Sequence, residues 1–290
     1  MNPIKPKKSL GQNFLVDHSV IDQIIAVAKL QSDEVVLEIG PGQGVLTEAL
    51  AKECSKVIAV EIDQVLVSLL KNKFKDTKNI EIVQGDILKM DIEELLSGHN
   101  LPASTQRGEQ AISYKLIANL PYYITSPIIR KFLESETPPQ EMILMVQKEV
   151  AERIVAGPGE MSILAVSVQY YAQAEILFPV SKKAFYPIPE VESAVIRITP
   201  ARNATHSVAG GHNAQHIIPG AEVKSENFFR VVRAGFCAKR KTLLNNLSNS
   251  FHVSRGEVEA KLTTIGLDAK VRAQELSVED WRKLSVLFQK

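Results

Sequence analysis

The run Val35-Val36-Leu37-Glu38-Ile39 passes directly into Gly40-Pro41-Gly42-Gln43-Gly44, and Val45-Leu46 with Ala49-Leu50 then resumes at helical spacing. A β-branched run that ends in alternating glycines and opens a helix leaves few folds available. The glycines remove Cβ atoms and permit positive φ where the chain must turn sharply and where a ligand can approach the backbone. The same alternation continues downstream: residues 57–60, 80–83, 115–118 and 142–146 read as further strands, with Val65-Leu66 and Leu69-Leu70 on a helix between two of them. Strands separated by helices imply right-handed crossovers and a mainly parallel, doubly wound α/β sheet. Residues 176–178 and 194–198 have no helix between them and are expected as an antiparallel pair at one edge. From Phe228 to Leu287 only short amphipathic segments remain, which reads as a small all-helical domain. The expected division is a sheet domain over 1–200, a linker over 201–224 and a helical domain over 225–290.

Composition narrows what such a chain can do. A length of 290 residues, 45% apolar and 23% charged, suits one large domain or two smaller ones and excludes wholesale disorder. A net charge of +1 excludes nucleic-acid binding through bulk charge alone, yet residues 225–290 hold 12 basic against 7 acidic side chains. Cys54 and Cys237 stand too far apart in sequence for a metal cluster or a disulfide framework, which suits a reducing cytoplasm, and Cys237 is expected to be a packed thiol. No uninterrupted run of 18 apolar residues occurs, so a cytoplasmic protein with no membrane span is expected. His206, His212 and His216 lack Cys or carboxylate support and are not expected to hold a metal. They fall in 200–221, which with 97–113 reads as unstructured.

Chemistry-bearing residues collect at strand ends. Glu61 closes the second strand, 21 residues after Gly40, where a carboxylate can take both hydroxyls of a ribose. Loop and acid together fit either a dinucleotide or S-adenosylmethionine, and a tight structural turn is the plainer alternative. The spacing Gly-x-Gly-x-Gly favours the methyl donor, because the dinucleotide fingerprint needs Gly-x-Gly-x-x-Gly to seat a pyrophosphate. Asp86 adds a carboxylate able to accept from an adenine amine, and Ile62 and Ile87 could sandwich the ring.

The fourth strand ends in Asn119-Leu120-Pro121-Tyr122. A planar amine is a poor nucleophile because its lone pair is conjugated with the ring. Held by the Asn119 carbonyl and a backbone carbonyl at Leu120 or Pro121, its nitrogen is drawn towards a tetrahedral geometry; Tyr122 would stack on the base. Arg230, Arg233, Lys239, Arg240 and Lys241 give five cations and no acid between Phe228 and Lys241, a candidate phosphate-contacting surface to which Lys5, Lys7 and Lys8 could add.

Six motifs then occur in one order: Lys8-Ser-Leu-Gly-Gln-Asn-Phe-Leu15, Glu38-Ile-Gly-Pro-Gly-Gln-Gly44, Val60-Glu-Ile-Asp63, Gly85-Asp86, Asn119-Leu-Pro-Tyr122 and Phe185-Tyr-Pro-Ile-Pro-Glu-Val-Glu-Ser193. On these the chain resembles the rRNA adenine N6,N6-dimethyltransferases, most closely the bacterial small-subunit (16S rRNA) branch. The likeness runs from about Lys5 to Thr199 and resumes over 228–247. It implies a Rossmann-like class I methyltransferase domain followed by a helical RNA-orienting domain. The cofactor implied is S-adenosyl-L-methionine, lined by Asn13, Leu15, Gly40, Glu61, Asp86 and Asn119, with Gln12 and Phe14 on a segment that closes over it. Phe185 would be the second aromatic face against Tyr122. The implied reaction places two methyls on each of two adjacent adenines in a hairpin loop near the 3′ end of 16S rRNA, within the immature small ribosomal subunit; a monomer is expected. Enzymes of the macrolide-resistance type, which act on large-subunit RNA, share the first domain but more often carry Ile at the position of Leu120. A non-catalytic assembly factor is the alternative from another class, and the intact Asn119 motif and Glu61 argue against it. The stretches 97–113 and 200–221 are longer than the family usually keeps.

Overall fold

The computed structural model describes residues 6–7, 10–98, 113–201 and 224–289. Lys5, Lys8, the three linker histidines and nearly all of the stretches 97–113 and 200–221 lie outside the described residues. The chain divides into two compact units, one of Met1–Ala151 with Gln173–Pro200 and one of Glu152–Ala172 with Ala201–Lys290.

In the first unit the elements run β1 (Phe14–Leu15), α1 (His18–Ala28), β2 (Val35–Ile39), α2 (Val45–Leu50), β3 (Lys56–Glu61), α3 (Gln64–Lys73), β4 (Ile80–Gln84), α4 (Ile92–Ser97), β5 (Lys115–Asn119), α5 (Thr125–Leu133) and β6 (Glu141–Gln147). Then follow α6 (Lys148–Val155), α7 (Ile163–Tyr171), β7 (Ala172–Val180), β8 (Phe185–Tyr186) and β9 (Ser193–Pro200), with α6 crossing into the second unit and α7 lying wholly within it. Seven strands form one sheet in the order β4-β3-β2-β5-β6-β9-β7. Strands β2 to β6 pair in parallel. All five residues of β2 are buried, as a central strand covered on both faces requires.

The two strands expected as an edge pair are adjacent, but β9 is not itself at the edge: it lies between β6 and β7 and runs antiparallel to β6. The apolar side chains of Ala194, Val195, Ile196 and Ile198 are buried there. Outermost is β7, which carries Pro179 where a missing N–H costs no central ladder bond. A second sheet was not legible in the sequence. It pairs β1 with β8 antiparallel, Phe14 opposite Tyr186 and Leu15 opposite Phe185.

In the second unit, α8 (Ser225–Gly235), α9 (Leu243–Phe251), α10 (Arg255–Thr264) and α11 (Val278–Leu287) bury Phe228, Val232, Leu247, Leu262 and Trp281 in one core. Ser277 and Asp280 cap α11 reciprocally, satisfying two of its first backbone donors. Met161, Ala165 and Val166, on and just before α7, belong to the same core. Residues 152–172 therefore join the helical unit, although they precede the last strands of the sheet and the sequence assigned them to the first domain. Among the described residues no helix is long and apolar enough to cross a membrane, and no group of His, Cys, Asp or Glu could hold a metal.

Candidate active site

On one side of β2 lie β3 and β4, on the other β5 and β6, so the order of strands reverses between β2 and β5. A crevice opens at the carboxyl ends of strands at such a switch point. Here the Gly40 N–H donates to the Val60 carbonyl at 2.9 Å, drawing the glycine turn against β3. Two of its glycines are required by what surrounds them. Gly42 has φ +57° and a Cβ there would stand 3.0 Å from the Phe14 ring; Gly44 has φ +76° and its Cβ would meet Leu70 at 2.6 Å. The cleft so formed is lined by Asn13, Leu15, Gly40, Gly42, Glu61, Ile62, Asp86, Ile87, Asn119, Leu120, Pro121 and Tyr122, every cofactor-facing and strand-end residue that the sequence singled out.

Three carboxyl groups line this cleft. Glu61 is buried, its Oε1 accepts the Asp63 N–H at 2.8 Å, and burial pushes it above the usual carboxylate range despite the amides of Asp63, Gly42 and Ile62. Asp86 is half-buried and accepts from the Leu88 N–H at 3.1 Å. Glu38, on β2 beneath the glycine turn, was not anticipated. Its Oε2 is buried with no hydrogen-bond partner, and burial pushes the group up to about 8. An acid within an apolar strand was the available signal. A set of carboxyl groups, glycine amides and apolar walls fits a ligand with positive charges, ribose hydroxyls and a flat ring, and the lining holds no Lys or Arg to balance a pyrophosphate.

Asn119 ends β5. Its Nδ2 donates to the Asn13 carbonyl at 3.2 Å, which leaves Oδ1 as the end available to accept from a substrate amine. The Pro121 carbonyl accepts from the Ile124 N–H at 3.1 Å, closing the turn, so of the two backbone carbonyls considered that of Leu120 is the less committed. Tyr122 presents a half-buried ring to the cleft and its hydroxyl is bonded to Ser193 at 2.8 Å.

Several expectations are corrected. Phe185 does not line the cleft: it is 2% exposed and packs in the apolar core with Leu15 and Val195, because β8 turns Phe185 inward and its neighbour Tyr186, 59% exposed, outward. Arg230 is not a free phosphate contact. It donates to Asn227 Oδ1 at 2.6 Å and to the Phe288 carbonyl, and stacks over Phe251. Lys7 is committed to Asp63 at 2.7 Å. Arg233, Lys239, Arg240 and Lys241 are exposed as expected of such a surface, the last three on the turn between α8 and α9. Cys237 is exposed, whereas Cys54 is buried.

A methyltransferase fold with a cofactor cleft at the switch point is the class that this architecture defines. The chain matches the ribosomal RNA adenine dimethylase family over residues 4–290, and it belongs to that family. It is 42% identical to the ribosomal RNA small subunit methyltransferase A of Dehalococcoides mccartyi strain BAV1, over 98% of this chain and 89% of the relative. It is 40% identical to the protein of that name from Bacillus mycoides, over 96% of this chain and 90% of the relative. Among solved structures it resembles a dimethyladenosine transferase from Plasmodium falciparum, at a TM-score of 0.70, 25% identity and coverage of 93% and 95%. It also resembles the 23S rRNA methyltransferase ErmE, at a TM-score of 0.68, 25% identity and coverage of 96% and 100%.

Proposed function

We propose that this chain dimethylates the N6 amines of two adjacent adenines in a hairpin loop near the 3′ end of 16S rRNA, acting as a cytoplasmic monomer on the immature small subunit. The observation that carries the reading is the Asn119 amide, pinned through Nδ2 to the Asn13 carbonyl so that Oδ1 remains to accept, in a cleft that Tyr122 also lines. When bound, S-adenosylmethionine supplies a methyl group carried on a sulfonium. Glu61 would take its ribose hydroxyls, Asp86 its adenine amine, and Ile62 and Ile87 would flank that ring. Glu38, with an unpartnered oxygen beneath the glycine turn, is suited to the amino-acid end.

Towards the RNA, the target adenine must be splayed out of its loop to reach the cleft. Stacking on Tyr122 offsets part of that cost, by about 1–3 kcal/mol. Asn119 Oδ1 and the Leu120 carbonyl would hold the two amine hydrogens, turning the nitrogen lone pair towards the methyl donor's side of the cleft. This is catalysis by positioning and fixed dipoles. Asn119 does not act as a base, since an amide takes no proton at neutral pH; the proton leaves to water after transfer. Arg233, Lys239, Arg240 and Lys241 would hold the backbone phosphates.

The likeness to ErmE supports a second reading, in which the substrate is large-subunit RNA. The higher identity to small-subunit methyltransferases supports the first. Purified protein is offered labelled S-adenosylmethionine with small or large subunits from cells lacking each modification. Label on two adjacent adenines of 16S rRNA is expected, and label confined to 23S rRNA would overturn the assignment.

A further inference from the structure

We infer that Asp63 is a positioning residue: by gripping Lys7 and Gln12 it fastens the N-terminal segment over the cleft and, through Asn13, sets the orientation of the Asn119 amide. The inference deepens the function proposed above and rests on it.

Asp63 is the N-cap of α3, accepting from the Val65 N–H at 3.0 Å. A cap needs no more than that bond, and caps commonly face water. This one is 4% exposed and holds two further donors: Lys7 Nζ at 2.7 Å on one oxygen and Gln12 Nε2 at 3.0 Å on the other. Both come from more than fifty residues earlier in the chain. Burial alone would raise the carboxyl group, but the bonds from Lys7, Gln12 and Val65 outweigh it and hold the group below its ordinary range. A carboxylate this enclosed is tolerated because it is fully paired, so removing a partner is costly.

Gln12 is fixed at both ends of its amide, since its Oε1 accepts the Lys7 N–H at 2.7 Å. The residue after it is Asn13, whose carbonyl receives the Asn119 amide at 3.2 Å. On the other side, the Asp63 N–H donates to Glu61 Oε1 at 2.8 Å. A continuous series of bonds thus joins the carboxylate assigned to the ribose with the amide assigned to the target amine, and Asp63 stands where the two arms meet. With the segment unfastened, Asn13 no longer holds Nδ2, and the Asn119 amide is free to rotate and present its NH2 to a substrate that needs an acceptor.

The test uses full-length Asp63→Asn, which keeps an acceptor for Val65 and hence the cap, together with Lys7→Met at a half-exposed position and the double variant. Amide hydrogen exchange of residues 10–16 is read in the free protein, and single-turnover methyl transfer to small subunits at saturating cofactor. Loss of a charge-assisted bond predicts, in each single variant, exchange faster by about 10-fold and transfer slower by about 10-fold, with the double variant no worse than Asp63→Asn alone. Wild-type exchange, or wild-type transfer at saturating cofactor, in Asp63→Asn would overturn the inference. Failure of the wild-type protein to label any subunit would instead overturn the proposed function, and the exchange measurement would still judge the fastening.

Discussion

The hydroxyl of Tyr122 lies 2.8 Å from that of Ser193, a side chain with no exposed surface, so the turn after β5 is tied to the first residue of β9. Ring and hydroxyl of Tyr122 thereby do different things. Tyr122→Phe keeps the ring and loses one part-buried hydrogen bond, a stability cost of about 1 kcal/mol with transfer reduced less than about 10-fold. Tyr122→Ala loses the face, and single-turnover transfer falls by about 10- to 100-fold. Equal rates in the two variants would remove the ring from the mechanism.

Asn119→Ala removes the acceptor proposed for the amine while leaving the residues of the glycine turn and Glu61 in place. Label transfer is lost, while the rise in melting temperature on adding S-adenosylmethionine persists. Retained turnover, measured with labelled cofactor, would remove Asn119 from the chemistry.

Phe185 gives the contrasting outcome. As a core side chain, its truncation to Ala costs about 3–5 kcal/mol, read as a lowered urea midpoint. A variant with wild-type stability and lost transfer would return Phe185 to the base-binding role expected from sequence.

Glu38 carries a pH signature. Burial lifts it to about 8 from an ordinary 4.5, with the nearby Glu61 adding and Lys73 opposing. Between those values the native state holds a proton that the unfolded chain has released, so this group's contribution to stability is full below the lower value and declines as pH rises to the upper one. Glu38→Gln lacks that slope. Urea midpoints should show wild type losing ground to the variant between pH 5 and pH 8; parallel profiles would place the carboxyl group in a wetter site.

The basic residues of the second unit separate by context. Arg230→Ala removes bonds to Asn227 and Phe288 and lowers stability. Replacing Lys239, Arg240 and Lys241 together with Ala leaves the melting temperature nearly unchanged and reduces the salt slope of RNA binding by roughly 2–3, at about 0.7–0.9 per phosphate contact. Filter binding across a salt series distinguishes the two.

The placement of Gly40, Glu61, Asp86 and Asn119 in one cleft was legible because Glu61 and Asn119 end strands, Gly40 and Asp86 follow strands within two residues, and parallel pairing brings such ends to one rim. Phe185 was misjudged because β8 is two residues long, too short for alternation to say which side chain faces inward. Glu38 was hidden for the opposite reason: inside a continuous apolar run, a single acid carries no periodic signal. The contacts of Lys7 and Gln12 with Asp63 span 56 and 51 residues, a separation that local pattern does not report. The membership of α7 was equally invisible, since an apolar helix face does not name the core it joins.

That membership governs how the chain can be divided. Severing the polypeptide after Pro200 would strand α7 with Met161, Ala165 and Val166 bared to solvent, while a fragment beginning at Ser225 would fold around a missing wall. Neither half is a detachable cassette. Grafting the helical unit onto another methyltransferase would need three splice points, one before Glu152 and one at each end of Gln173–Pro200.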